Sequence, residues 1–148
     1  MKKQLLLLVM IFLPIVALAE KVKIDGLYYE LDSYTQTAKV SRNNPGTYYD
    51  RTIISIPSSI SYNGVNYKVA GIGAWTFDNA VNLTSITIPE GVTYIEENAF
   101  YNCCSLPSIT IPSTLQTIGS NAFIQCNGLT SVHISDLLCC KPNNWFIF

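Results

Sequence analysis

A segment of 23 residues that begins at Ile86 is repeated, without a gap, from Ile109. The two copies are identical at 11 of 23 positions. A fixed period of this length is typical of solenoid proteins, in which each repeat forms one coil and buries its apolar side against its neighbours. The repeat therefore predicts a solenoid, and it favours a binding surface over a reaction centre.

Each repeat contains a pattern that predicts a short strand. Alternation in Ile-x-Ile-Pro puts the two aliphatic side chains on one side of the strand and the residue between them on the other. The proline lacks a backbone N–H and ends the strand. The pattern begins at Ile54, Ile86 and Ile109, and Val132 begins a fourth, incomplete copy.

A second recurring pattern lies farther along each repeat. Asn98-Ala99-Phe100 recurs as Asn121-Ala122-Phe123. We expect a short helical turn here, with the asparagine as its N-terminal cap. The predicted fold class is therefore a β-rich solenoid with short parallel strands and one short helical turn per coil.

The residues before the repeats follow a different pattern. Residues 20–50 contain alternating segments around Asp25-Gly26, a dipeptide that favours a hairpin, and then the loop sequence Asn43-Asn44-Pro45-Gly46. We expect an N-terminal antiparallel β cap over the first coil, since an open solenoid end exposes apolar surface. Tyr62-Asn63-Gly64-Val65 predicts a further hairpin inserted into that coil.

The first residues, Met1–Ala19, are typical of a secretory signal peptide, with Lys2 and Lys3 before an apolar run and small residues at the cleavage site. The alternative is a membrane anchor, but the run is shorter than the roughly 20 residues that a bilayer span requires, and no later run is long enough. Cleavage would leave 7 of the 9 basic residues against 10 acidic ones, a formal charge of −3. Such a chain has no basic surface for nucleic acid.

The predicted organisation has four segments. They are the signal peptide (1–19), the antiparallel cap (20–50), a solenoid of about three and a half coils (51–134) and an atypical tail (135–148). The tail matches neither a further repeat nor a surface-attachment module, so a truncated end stays open as an interpretation. A last coil without a cap predicts self-association.

The spaced positions of the repeat resemble a known family. The pattern Ile-x-Ile-Pro-x-x-Val-x-x-Ile-x-x-x-Ala-Phe-x-x-Cys-x-x-Leu is similar to the BspA-like leucine-rich repeats of bacterial surface proteins, and the resemblance covers about residues 24–134. It implies a secreted or surface-displayed protein that adheres to host matrix proteins or to other cells. Such relatives typically carry many more repeats than this chain.

Five cysteines raise two questions of chemistry. Cys103 and Cys126 occupy equivalent positions one coil apart, where a disulfide is geometrically possible. We favour a buried ladder of free thiols, because Ala80 fills the same position one coil earlier without a partner. Cys103-Cys104 and Cys139-Cys140 are adjacent pairs, which do not have the spacing of zinc ligands. No metal and no cofactor is predicted.

Enzymatic interpretations find little support. Ser131, His133 and Asp136 could be assembled into a triad, yet neither a nucleophile turn nor an oxyanion loop accompanies them. Glu96 and Glu97 are the densest carboxylate pair, and Gly119 and Ser120 replace them in the next coil. A solvated bend explains the pair at least as well as acid–base catalysis does.

The outward strand positions are the predicted binding residues. They should form two polar rows across the coils, which consist of Ser85, Ser108 and Ser131, and of Thr87, Thr110 and His133. The alternative is that threonine simply suits an exposed strand. We predict that this sheet face binds an extracellular protein partner. A carbohydrate-binding module and a non-functional fragment of a larger surface protein are the rival interpretations.

Overall fold

The computed structural model describes residues 20–43 and 49–135, which form eleven strands. The predicted signal peptide, part of the loop around Pro45 and the tail beyond Ser135 lie outside the described residues. Nowhere in the described ranges is there a helix long and apolar enough to cross a membrane. The strands are β1 (Glu20–Ile24), β2 (Leu27–Asp32), β3 (Thr37–Ser41), β4 (Ile53–Ser55), β5 (Ser59–Tyr62), β6 (Val65–Ile72), β7 (Ser85–Thr87), β8 (Tyr94–Ile95), β9 (Ser108–Ile111), β10 (Thr117–Ile118) and β11 (Ser131–Ile134).

Both dipeptides that predict hairpins form them. Asp25 and Gly26 join antiparallel β1 and β2 with φ values of 50° and 83°, and Asn63 and Gly64 join antiparallel β5 and β6 with φ values of 50° and 78°. Two consecutive positive φ values are what a two-residue type I′ turn requires, and its twist matches that of the strands. The inserted hairpin is thus confirmed.

The N-terminal strands continue into one side of the solenoid. β2 and β3 are antiparallel, whereas β3 pairs in parallel with β6, which is followed by β8 and β10. β3 therefore joins the meander β1–β3 directly to the first coil. Whether the meander acts as a cap stays a prediction.

The second side of the solenoid carries the Ile-x-Ile strands. β4 pairs in parallel with β7, and β9 pairs in parallel with β11. The aliphatic side chains point inward: Ile54 and Ile109 are 1% and 2% exposed. In β11 the corresponding Val132 and Ile134 are 36% and 51% exposed. Self-association through this last coil stays a prediction.

The third side of each coil consists of turns, and the predicted helical turn is not confirmed. The described residues contain no helix, and Asn98 and Asn121 have φ values of 54° and 58°, in the left-handed region instead of the extended region typical of an N-cap. Phe77 N–H donates to Ala99 O, and Phe100 N–H donates to Ala122 O, each at 2.8 Å. A helix would satisfy these donors within its own coil. Here they join one coil to the next.

A column of aromatic rings fills the core beneath these turns. The rings of Phe77, Phe100 and Phe123 stack with centroid separations of 5.2 and 5.0 Å, and Tyr49 lies 5.3 Å from Phe77. Phe77 and Phe100 are fully buried. Burial of each such side chain contributes roughly 1.5–3 kcal/mol. The column therefore joins successive coils through their largest apolar groups.

The cysteines at equivalent positions are free thiols. Cys103 Sγ donates to Phe77 O at 3.2 Å, and Cys126 Sγ donates to Phe100 O at 3.0 Å. Hydrogen bonding with the Cys126 thiol and burial raise the pKa of the Cys103 thiol above its ordinary value. Both side chains behave as small buried groups of a ladder that continues from Ala80.

A chain of ion pairs connects the meander to the second coil. Lys21 and Lys39 each lie 3.2 Å from the Glu30 carboxylate, and Lys39 Nζ also lies 3.1 Å from Glu96 Oε1. Glu96 additionally accepts the Ala74 N–H at 2.8 Å. Partial burial of Glu30 opposes its ionisation, but the hydrogen bonds and charges of Lys39 and Lys21 outweigh burial and lower its pKa.

This ion-pair chain predicts an acid-sensitive contribution to stability. Because folding lowers the pKa of Glu30 below its ordinary 4.5, the contribution is present above that pH and is lost as the pH falls through the folded-state pKa. We expect Glu30→Gln to reduce stability at pH 7 by at most about 1 kcal/mol, since solvent screens the pairs. Glu30→Gln should also lose less stability than wild type when the pH falls from roughly 5 to 3, the range in which glutamate side chains titrate.

Thermal unfolding at a series of pH values measures this effect. Glu97→Gln is the matched control, because Glu97 is exposed. Equal acid dependence in wild type and Glu30→Gln would contradict the assignment.

Candidate functional site

The candidate site is the outer face of β4, β7, β9 and β11. Alternation along these strands directs the isoleucines into the core and the intervening side chains to solvent. Ser85, Thr87, Ser108 and Thr110 are exposed, Ser131 is half-buried and His133 is exposed. The structure thus places all six sequence-predicted binding residues on the outer side of their strands.

Pairing registers bring these residues into two rows. We define the serine row as Ile53, Ser85, Ser108 and Ser131, and the threonine row as Ser55, Thr87, Thr110 and His133. Between β9 and β11, Ser108 is opposite Ser131 and Thr110 is opposite His133. Between β4 and β7, Ile53 is opposite Ser85 and Ser55 is opposite Thr87. Neighbouring strands lie about 4.8 Å apart, which sets the spacing within a row.

The face is divided between β7 and β9. These strands lie next to each other but do not form a continuous ladder. Just before β7, Thr84 N–H donates to Thr52 O of the β4 coil at 2.8 Å. Just before β11, Thr130 N–H donates to Pro107 O of the β9 coil at 2.9 Å. Pro107, just before β9, occupies the position that Thr84 and Thr130 occupy in their coils, and a proline has no backbone N–H to donate. The rows therefore consist of two hydrogen-bonded halves that meet at this proline.

Sequence reasoning missed the first member of each row. Ser55 is the residue between the two isoleucines of the first copy, so aligning that copy with the later ones would have found it. Ile53 precedes the Ile-x-Ile-Pro pattern, and as an aliphatic residue it gives no sequence indication of an exposed position. Its side chain is 69% exposed, which makes it an apolar contact point at one end of an otherwise polar face.

The face offers hydrogen-bonding groups without reactive geometry. Ser131 and His133 lie two residues apart on one strand, which corresponds to about 7 Å, and no hydrogen bond joins them. Asp136, the third residue of the hypothetical triad, lies outside the described residues. In the described ranges, His, Cys, Asp and Glu side chains do not gather into a group that could hold a metal ion. The arrangement can bind a partner through hydroxyls.

A cleft between the meander and the first coil is the alternative candidate to the strand face. This cleft of about 320 Å³ is lined by Lys23, Gly26, Tyr28, Asn43, Tyr49, Asp50 and Arg51. The Tyr49 hydroxyl donates to Ser41 O at 2.6 Å and accepts the Tyr28 N–H at 2.9 Å. Burial raises the pKa of Tyr49 to about 12. This hydroxyl is occupied in holding the meander to the coil, so we favour the strand face.

Comparison with known proteins gives a consistent result. Residues 52–146 match a family model described as a BspA type leucine rich repeat region (6 copies). The match extends past β11, which ends at Ile134. A comparison with curated protein sequences finds no match.

Solved structures share the fold. A leucine-rich repeat protein from Bacteroides capillosus is 23% identical, with a TM-score of 0.57 over 78% of this chain and 99% of that chain. One from Eubacterium ventriosum is 26% identical, with a TM-score of 0.59 over 78% of this chain and 27% of that chain. The pneumococcal vaccine antigen PcpA is 16% identical, with a TM-score of 0.55 over 79% and 38%. The chain thus spans nearly all of the first structure and about a quarter of the second.

Proposed function

The chain belongs to the BspA type leucine-rich repeat family, and from this premise we propose that it is a secreted or surface-displayed adhesion module. Its partner is an extracellular protein, with host matrix proteins or proteins of neighbouring cells as the class that the family resemblance implies. The serine row and the threonine row form the contact surface.

The observation that carries this proposal is the alignment of exposed hydroxyls on a rigid frame. Parallel ladders and buried isoleucines hold both rows, as Ile54 and Ile109 illustrate. A pre-organised surface loses little conformational entropy when a partner binds. Hydroxyls can both donate and accept hydrogen bonds, so they can match the backbone of a protein partner.

The composition of the face suggests where the binding energy lies. In protein interfaces large side chains supply much of the binding energy, and polar groups supply register and specificity. Ile53 at one end and His133 at the other are the largest side chains on the outer positions of the rows. Since the rows contain no Lys, Arg, Asp or Glu, we expect an affinity that depends little on salt.

Secretion is part of the proposal. The signal-like segment Met1–Ala19 supports it, although that segment lies outside the described residues. The repeat family supports the same location by resemblance.

Charge substitution in the threonine row tests the face. We expect Thr87→Lys and Thr110→Lys each to weaken binding to a purified matrix protein at least tenfold, which corresponds to about 1.4 kcal/mol. The physical reason is that a long charged side chain separates the surfaces and leaves an unpaired charge in the interface. Surface plasmon resonance against a panel of purified matrix proteins measures the effect.

Thr117→Lys is the matched control. Thr117 is exposed on β10, which belongs to the other sheet, so its variant should bind like wild type. Melting temperatures of all three variants should equal that of wild type, because each threonine is exposed. If both threonine-row variants bind every partner of the wild type unchanged, the face assignment is wrong.

A further inference from the structure

Trp75 adopts a backbone conformation that suits its side chain poorly. Its φ is 58°, in the left-handed region. The equivalent residues of the next two coils are Asn98 and Asn121, with φ values of 54° and 58°. Asparagine tolerates this region because its short polar side chain can bond locally, whereas a bulky residue there is an outlier. The first coil therefore carries a costly residue at a position where the later coils carry a suitable one.

Core packing does not account for this residue. The neighbouring Phe77 fills the core and is fully buried, whereas Trp75 is half-buried on the outer side of the turns. Its ring lies against Tyr101 of the next coil, with centroids 5.7 Å apart and planes inclined by 49°. Tyr101 is also half-buried. Strained residues persist where their side chains serve a function, so the exposed part of this aromatic pair invites a functional explanation.

Fixed amide groups accompany the pair. Asn102 Nδ2 donates to Asn79 Oδ1 at 2.8 Å, and Asn79 Nδ2 donates to Asp78 Oδ1 at 2.6 Å. The backbone N–H of Asn79 donates to the backbone oxygen of Tyr101 at 2.8 Å, so the amides and the aromatic pair belong to the same stacked turns. This relay fixes the orientation of both amides, and Asn102 Oδ1 is an acceptor that takes no part in it.

The chemistry of this cluster fits a neutral sugar. A pyranose ring has an apolar face of C–H groups, which packs against aromatic rings, and a rim of hydroxyls, which amides can both donate to and accept from. Glu97, whose carbonyl accepts the Trp75 N–H at 3.2 Å, is exposed and disfavours an anionic ligand. Protein interfaces usually cover about 800 Å² per partner, much more than two half-buried rings offer.

We propose that the turn side of the solenoid holds a second binding site, the turn-side cluster of Trp75, Tyr101, Asn79 and Asn102, which binds a neutral saccharide. It lies on a different side of the coils from the serine and threonine rows. The site does not depend on the adhesion proposal.

Trp75→Asn is the decisive variant because stability and binding should change independently. Asparagine suits the left-handed backbone, so the melting temperature should stay equal or rise. Affinity for the saccharide should fall at least tenfold. Asn102→Ala should also weaken binding, through the loss of the amide. Isothermal titration calorimetry with neutral cello-, chito-, manno- and galacto-oligosaccharides provides the measurement.

The control variants separate this site from other surfaces. Tyr34→Ala removes an aromatic side chain that is 92% exposed in the turn between β2 and β3, and it should bind saccharide like wild type. Thr110→Lys should do the same, which distinguishes failure of this proposal from failure of the adhesion proposal. Four results would overturn the saccharide site: no binding of any oligosaccharide by wild type, unchanged binding by Trp75→Asn, a lower melting temperature of that variant, or a loss confined to protein partners.

Discussion

The Phe100→Ala variant is expected to lose about 3–5 kcal/mol of unfolding free energy. Phe100 is fully buried, and its ring stacks on Phe77 at 5.2 Å and on Phe123 at 5.0 Å. Removal of the middle ring leaves a cavity between two coils and deprives both neighbours of a contact. Because a domain of this size is stable by only about 5–15 kcal/mol, the loss would be a large fraction of the total.

Equilibrium unfolding in urea measures this loss. Phe123→Ala is the matched comparison. Phe123 is the last ring of the described column and stacks only on Phe100 within it, so this variant should lose less unfolding free energy. Tyr34→Ala, at an exposed position, should change stability by no more than about 0.5 kcal/mol. A loss below about 1 kcal/mol for Phe100→Ala would contradict the role of the aromatic column.

The Gly119→Ala variant should be destabilised by about 1–3 kcal/mol, although it adds a single methyl group. A Cβ at Gly119 would lie 2.4 Å from Glu97 N and 2.6 Å from the Glu96 carbonyl carbon. Both are backbone atoms of the preceding coil, which cannot move aside as a flexible side chain could. The Gly119 N–H donates to Ile95 O at 2.7 Å, so separation of the coils would also weaken this hydrogen bond.

Thermal unfolding and amide hydrogen exchange report the two consequences of this clash. The melting temperature should fall, and the amide of residue 119 should exchange faster than in wild type. Ser120→Ala is the control, because Ser120 is the exposed next residue along the chain. An unchanged melting temperature for Gly119→Ala would mean that the coils can separate at little cost.

Gly119 also illustrates a limit of sequence comparison between repeats. Glu96 occupies the equivalent position one coil earlier, so alignment alone suggests that a side chain is tolerated there. Glu96 uses its side chain to accept the Ala74 N–H and to pair with Lys39, which is 57 residues away. Equivalent positions in a solenoid therefore have different neighbours, and the neighbours determine which residues fit.

Local patterns determined which way the side chains point. A period of two in Ile-x-Ile directs Ile109 inward and Thr110 outward whatever lies beside the strand, and Asp25-Gly26 favours its turn through the backbone preferences of its own residues. The period of 23 residues likewise predicted stacked coils, and the spaced residues within each repeat carried the family resemblance. Side-chain direction and turn type depend on a few adjacent residues and the period on comparing two stretches of the chain, so all three can be inferred from the sequence alone.

Contacts between coils were decided only by the tertiary structure. Asn98 suggested a helix cap, but the backbone at this residue is left-handed and Phe100 N–H donates to the next coil, so a helical turn is not confirmed there. The exposure of Ile53, the interruption at Pro107 and the pairing of Trp75 with Tyr101 likewise depend on residues one coil away. A sequence pattern encodes local backbone preference, whereas these features depend on which distant groups meet when the coils stack.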